Sequence, residues 1–241
     1  SDVCSSDLSK IHTDFIEVDE DTRINVKLKS GQETEINAPG PKVTQEQFQA
    51  LITQIKNTTS EDTVIVAGSV PNSIPSDAYA QIAEITKNTG AKLVVDAEKD
   101  LVDTVLPYRP LFIKPNKDEL EVMFNTTVSS DHDVVKYGKE ILKKGAQSVI
   151  ISLCGDGAIY VDEHQSIKAV NPQGKVINTV GSGDSTVAGM VAGLESGLSI
   201  QDAFKQAVAS GTATAFEEDL ATRDAIEKIK SQVTVSVLDG E

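Results

Sequence analysis

Apolar and polar positions alternate with a period of two from Thr22 to Leu28. Thr22, Ile24, Val26 and Leu28 fall on one side, and Arg23, Asn25, Lys27 and Lys29 on the other. That alternation predicts a strand with one buried and one polar face. Ser30-Gly31 reads as a turn and Glu33–Asn37 as the returning strand. The segment from Phe15 to Asn37 is therefore expected to be a β-hairpin whose polar face carries Arg23, Asn25 and Lys27 together. Pro39-Gly40-Pro41 then breaks the chain. Thr44 with Gln47 three residues on predicts a capping box. It opens a helix with Phe48, Leu51, Ile52 and Ile55 on one face.

Further along, the pattern changes to short continuous apolar runs. Val64–Ala67, Leu93–Val95, Leu111–Ile113 and Val149–Ile151 read as strands, and each stops at a glycine or polar residue. Helical periodicity lies between them: from about Ser76, with Ala80, Ile82, Ala83 and Ile85 inward, then Glu119–Phe124 and Val134–Lys144. Ala158–Val161 and Ser166–Val170 read as two antiparallel strands. Two helices rich in Ala and Gly follow, near Asp184–Ser196 and Gln201–Phe216. Continuous apolar strands alternating with helices predict an α/β architecture with a mostly parallel sheet covered on both faces.

Composition narrows the function. The 241 residues contain 22 Lys and Arg against 37 Asp and Glu, a formal net charge of −15. A chain this acidic is not expected to bind nucleic acid or an anionic membrane surface. No apolar run approaches the roughly 20 residues of a membrane span. The two cysteines, Cys4 and Cys154, make no disulfide framework. His12, His132 and His164 are scattered, so no transition-metal site is expected. These features, with no signal-peptide core at the start, predict a soluble protein of a reducing, cytoplasmic compartment.

In an open α/β sheet, ligands bind beyond the carboxyl ends of the strands. Those ends carry Gly68-Ser69, Asp96, Lys114-Pro115-Asn116, Ser152–Gly157 and Gly181-Ser182-Gly183-Asp184. Gly181 and Gly183 let backbone amides approach an oxyanion at a helix start, and Asp184 stands where a carboxylate could take a proton from a hydroxyl. Base and anion hole together are what phosphoryl transfer requires. A Gly-rich turn before Asp is also ordinary helix capping. No Gly-Lys-Ser/Thr is present, so this is not a P-loop.

The longer run Asn178–Met190 resembles the C-terminal signature of the phosphofructokinase B family of sugar kinases. The likeness extends over Thr22–Lys27, Asn37-Ala38-Pro39-Gly40-Pro41, Ala67–Pro71, Ile113–Leu120 and Ser152–Ala158. It implies a ribokinase-like three-layer α/β/α fold with a small β lid. The Arg-Ile-Asn-Val-Lys and Asn-Ala-Pro-Gly-Pro segments look like the bacterial 1-phosphofructokinase branch, with tagatose-6-phosphate kinase as the alternative. The implied reaction converts fructose 1-phosphate to fructose 1,6-bisphosphate with ATP and Mg²⁺, and a monovalent cation is compatible with it.

By the same resemblance, Asp184 is the catalytic base, and Gly181, Ser182 and Gly183 form the anion hole. Lys114, Asn116, Ser152, Gly155, Asp156 and Gly157 are implied at the nucleotide, together with Gly183. Asn116 and Glu119 are implied at Mg²⁺, largely through water. Arg23, Asn25, Lys27 and Ser69 are implied at the sugar phosphate, Gly211-Thr212-Ala213 near adenine, and a homodimer through the lid is compatible with it. Cys154 replaces a glycine of the nucleotide loop. If that position has a positive φ, it is strained.

Family members begin further upstream, with an Asp-bearing first strand and a Gly-Gly-Lys-Gly-type segment that this sequence lacks. Residues 1–12 are accordingly expected to be a non-native or disordered start. Residues 13–38 are expected to form the lid hairpin, and 39–241 a nucleotide- and sugar-binding core without its upstream strands. A non-catalytic fragment that retains nucleotide binding is the rival reading from another class.

Overall fold

The computed structural model describes residues 11–30 and 32–238. Most of the start assigned above to 1–12, including Cys4, lies outside the described residues. The chain divides into two compact units. The first takes in residues up to Asn57 together with Val70–Ala78, and the second Thr58–Ser69 with Tyr79 onward.

The first unit holds an antiparallel hairpin, β1 (Asn25–Ser30) and β2 (Gln32–Asn37), and helix α1 (Gln45–Lys56). Val26 pairs with Ile36 and Lys27 with Glu35. The predicted capping box is present: the Gln47 N–H donates to Thr44 Oγ1, and the Thr44 N–H to Gln47 Oε1. Phe48, Ile52 and Ile55 are buried along the expected helical face.

The hairpin requires two corrections. Its apolar side is not buried: Ile24, Val26, Leu28 and Ile36 are all exposed. Among the described residues the hairpin is a two-stranded sheet by itself, with no third strand paired to either edge. The strand proper also starts at Asn25, which leaves Arg23 ahead of it rather than on its face. One backbone bond, from the Ala38 N–H to the Ile24 carbonyl, extends the pairing past the strand.

The second unit is built on a seven-stranded sheet whose spatial order follows the chain. Strands β3 (Thr63–Ala67), β4 (Lys92–Asp96), β5 (Phe112–Ile113) and β6 (Ser148–Ser152) are parallel. Strands β7 (Ala158–Asp162), β8 (Ser166–Val170) and β9 (Thr234–Leu238) then follow antiparallel, each to its neighbour. The predicted apolar runs are the buried interior strands. Edge strand β3 instead exposes Ile65. Helices α2 (Ala78–Thr89), α3 (Lys99–Val105), α4 (Lys117–Phe124) and α5 (Asp131–Lys144) connect or follow the parallel strands. Helices α6 (Ser182–Glu195), α7 (Ile200–Ala215) and α8 (Arg223–Lys230) precede β9.

Alternation along each strand divides the core between two faces. Val94, Phe112, Ile150 and Tyr160 pack with Val187, Met190, Phe204 and Ala207 of α6 and α7. On the other face Ile151 and Val161 meet Gly138 of α5 so closely that a Cβ there would stand 3.0 Å from Val161. The result is a three-layer α/β/α unit. The parallel strands all end on one edge, so Gly68, Asp96, Lys114 and Ser152 come to that edge together.

Candidate active site

The register of β4 and β5 starts the site. Val94 pairs with Phe112 and Val95 with Ile113, so the next residues, Asp96 and Lys114, stand abreast at the strand ends. Their side chains form an ion pair of 3.2 Å and are only 19 % and 8 % exposed respectively. Burial pushes the Asp96 carboxyl above its ordinary value, Lys114 pulls it back down, and the charge of Asp184 pushes it up again. The Tyr79 hydroxyl, which donates to the Gly68 carbonyl at 2.7 Å, is pushed up to about 12 by burial and by the charge of Asp96.

The Gly-Ser-Gly-Asp segment lies against this pair. Gly181 is the N-cap of α6 with a left-handed φ of 78°, and Asp184 is in the first turn. A Cβ on Gly183 would be 3.2 Å from Lys114 Nζ and 4.0 Å from Asp96 Oδ2. The ammonium thus sits beneath the backbone next to Asp184. The Ser182 N–H already donates to the Thr179 carbonyl at 3.2 Å. The N–H groups of Gly183 and Asp184 are the other first-turn donors, without partners in the helix ladder. Ser182 Oγ is buried without a hydrogen-bond partner among the described residues.

The Asn-x-x-Glu motif is a reciprocal helix cap. The Glu119 N–H donates to Asn116 Oδ1 at 2.8 Å, and the Asn116 N–H to Glu119 Oε2 at 2.7 Å. Asn116 forms an isolated parallel bridge with Ser152, which brings the motif beside the loop that follows β6. Glu119 Oε1 takes no part in the cap. This oxygen donor set suits a hard cation held through water, the usual habit of Mg²⁺.

The loop Leu153–Gly157 closes tightly, with the Leu153 N–H donating to the Gly157 carbonyl at 2.8 Å. Gly157 has a φ of 96°, and a Cβ there would overlap the Ala169 carbonyl oxygen. Gly155 and Asp156 are exposed at the tip. Asn171, which the sequence reading did not single out, braces this loop. Its Nδ2 donates to the carbonyls of Cys154 (3.1 Å) and Gly155 (3.4 Å), and Thr212 Oγ1 donates to its Oδ1 at 2.8 Å. Only its place after an apolar strand could have drawn attention to it.

A cleft of about 270 Å³ flanks the loop, lined among others by Lys117, Asp131, Asp156 and Lys168. The Lys168–Asp131 pair is 2.6 Å long. The two cations are matched by two carboxylates, so the cleft offers no excess positive charge to a phosphate.

Cys154 has a φ of 53° and an exposed free thiol. The left-handed region costs a residue with a Cβ about 1–2 kcal/mol, and glycine gives back about 0.5–1 kcal/mol through greater freedom in the unfolded chain. Cys154→Gly is therefore expected to stabilise the protein by about 0.5–1 kcal/mol, raising Tm by about 2 °C. Thermal melts and calorimetry check this. A lower melting temperature would show that the thiol makes up for the strain.

The four sugar-phosphate candidates do not all belong to the second unit. Ser69 follows β3 there and is exposed, whereas Arg23, Asn25 and Lys27 belong to the first unit, the latter two at alternate positions of β1.

The profile of the pfkB carbohydrate kinase family matches residues 7–226. The chain belongs to the pfkB family of carbohydrate kinases. Within that family it is 42 % identical to a Bacillus subtilis protein named 1-phosphofructokinase, over 95 % of this chain and 75 % of that one. It is 35 % identical to a Bacillus licheniformis D-tagatose-1-phosphate kinase, over 95 % of this chain and 76 % of the relative. A Staphylococcus aureus crystal structure, provisionally named as a phosphofructokinase, superimposes with a TM-score of 0.89 at 79 % identity. That match covers 98 % of this chain and 78 % of the other. The three-layer fold and small separate β-sheet are those of a pfkB kinase. No helix among the described residues is long and apolar enough to cross a membrane.

Proposed function

We propose that this pfkB kinase transfers a phosphoryl group from ATP to the 6-hydroxyl of fructose 1-phosphate, giving fructose 1,6-bisphosphate and ADP. The observation that carries the reading is the Gly181–Asp184 turn, with its first-turn donors seated over the buried Lys114 ammonium. The 42 % identity to a named 1-phosphofructokinase supports the choice of sugar.

Asp184 accepts the proton of the 6-hydroxyl as that oxygen bonds to the γ-phosphorus and the bond to the ADP oxygen breaks. The N–H groups of Gly183 and Asp184 meet the charge on the transferring group, and the α6 dipole adds to them. Lys114 supplies a cation beside the same oxygens. The Leu153–Gly157 loop, with Ser152, Gly155 and Asp156, and Asn116 are assigned to the nucleotide. Asn116 and Glu119 would hold Mg²⁺ through water, and the ion, when bound, neutralises charge on the phosphates.

Arg23, Asn25, Lys27 and Ser69 are assigned to the sugar phosphate. Arg23→Ala and Lys27→Ala are each expected to raise KM for fructose 1-phosphate at least tenfold and KM for ATP less than twofold. Equal effects on both substrates would remove the two cations from the sugar site. The exposed apolar side of the hairpin fits a homodimer formed through it, which sedimentation of the protein would detect.

The D-tagatose-1-phosphate kinase relative favours a second reading. That sugar phosphate differs from fructose 1-phosphate only in the configuration at C4, and it presents the same 6-hydroxyl. Side-by-side assays with fructose 1-phosphate, tagatose 1-phosphate and tagatose 6-phosphate test the choice. The expected order of kcat/KM places fructose 1-phosphate first. A higher value for either tagatose ester would replace the substrate, and ATP turnover with none of them would overturn the proposal.

A further inference from the structure

Asp96 takes no part in the chemistry above, yet it is the residue that holds Lys114 in place. The two side chains belong to neighbouring parallel strands, two residues beyond the Val94–Phe112 pair, so the sheet register itself sets them abreast. A lysine ammonium is carried on a flexible four-carbon stem and does not hold one position by itself. Here the stem is buried, and its head is tied to a carboxylate that is itself largely buried. The Asp96 strand end is fixed in turn: the Gly68 N–H donates to the Asp96 carbonyl at 3.0 Å, and the Tyr79 hydroxyl donates to the Gly68 carbonyl. The clamped ammonium then lies against Gly183, one residue before Asp184.

We propose that Asp96 is a positioning residue, which clamps the Lys114 ammonium under Gly183 so that it meets the third phosphate of a bound nucleoside triphosphate. This rests on the kinase reading given above. The second carboxylate near the pair is Asp184, whose charge is felt at Asp96. With Asp96 neutral, Asp184 becomes the alternative partner for the ammonium. Lys114 would then turn toward the base and away from the phosphate.

The test is calorimetric, since binding reports the clamp without turnover. The probes are ADP–Mg²⁺ and a non-hydrolysable ATP analogue with Mg²⁺. They are titrated into the unmodified protein, Asp96→Asn, Lys114→Met, the double variant and Asp96→Glu. The unmodified protein is expected to prefer the triphosphate. Asp96→Asn and Lys114→Met should each reduce that preference at least tenfold, and the double variant should lose no more than Lys114→Met alone. Asp96→Glu, which still reaches the ammonium, should keep at least a third of the preference. It also carries the test should Asp96→Asn fail to melt cooperatively.

Three results would overturn the clamp. They are an unchanged preference in Asp96→Asn, additive losses in the double variant, and recovery of Asp96→Asn by raised Mg²⁺, which would make Asp96 a metal group. An unmodified protein that binds neither nucleotide would instead sink the kinase reading, and the clamp with it.

Discussion

Asp184→Asn is expected to leave ATP binding intact and to lower phosphoryl transfer about 10²–10⁴-fold, the usual worth of a general base. The substitution keeps the size of the side chain and its place in the first turn of α6. It removes the proton acceptor and the negative charge. The anion-hole N–H groups of Gly183 and Asp184 are backbone groups and survive the change. The charge removed repels Asp96 but also suits the N-terminal end of the α6 dipole, so the melting temperature should change little. Single-turnover kinetics and calorimetry with ATP–Mg²⁺ separate the two effects. A turnover number within threefold of the unmodified protein would reduce Asp184 to a first-turn helix acid that suits the dipole.

Gly211→Val is expected to cost both stability and catalysis, because Gly211 is where α7 touches the catalytic turn. A Cβ at Gly211 would overlap Thr186 Oγ1 and stand 2.8 Å from the Ser182 carbonyl oxygen. Thr186 Oγ1 in turn donates to that carbonyl at 2.9 Å, and Ser185 Oγ lies 2.9 Å from Thr214 Oγ1 of α7. The contact is close along its whole length: a Cβ on Gly193 would be 2.8 Å from Ala203 Cα. Neither helix has a flexible side chain at Gly211 that could yield, so one must slide from the other. Overpacking of this kind costs about 1–3 kcal/mol, which lowers Tm by about 3–10 °C in a protein of this size. The displacement falls on Ser182 and its neighbours, and misplacing a catalytic group by about 1 Å costs about 10²-fold in rate. A kcat loss of at least tenfold is therefore expected beside the melting shift. Gly155→Ala is the control, since a Cβ there meets nothing within 4 Å, and its melting temperature should not change. A Gly211→Val protein with unaltered Tm and kcat would show that α7 does not support the catalytic turn.

Local patterns were legible wherever a residue's own neighbours decide its conformation. The apolar runs at Leu93–Val95 and Val149–Ile151 are interior strands because no other arrangement buries both of their faces. Thr44 with Gln47 builds its predicted cap from four consecutive residues; the equally local cap of Asn116 with Glu119 emerged only in the structure. The Gly-Ser-Gly-Asp turn opens a helix as expected. The replacement of a glycine by Cys154 pointed to strain, and the backbone there is left-handed. Short elements with weak apolar signals were not legible. Helix α8 has no fully buried residue, and β9 becomes a strand through its pairing with β8.

Tertiary structure decided what depends on partners distant in the chain. Alternation from Thr22 to Leu28 predicted a strand, and one runs from Asn25 to Ser30, but the apolar side of the described hairpin is exposed. Asp96 and Lys114 carry no mutual signal in the sequence; they meet because two parallel strands end in register. Asn171 reaches the loop before β7 only because β7 and β8 run antiparallel. Sequence alone determined which of the strongly patterned segments become strands, helices and turns, since those choices follow from side-chain period and backbone preference. The ion pair, the braced loop and the contact of Gly211 with the catalytic turn come from the fold, because each joins groups that only sheet register and helix packing bring within a few ångströms.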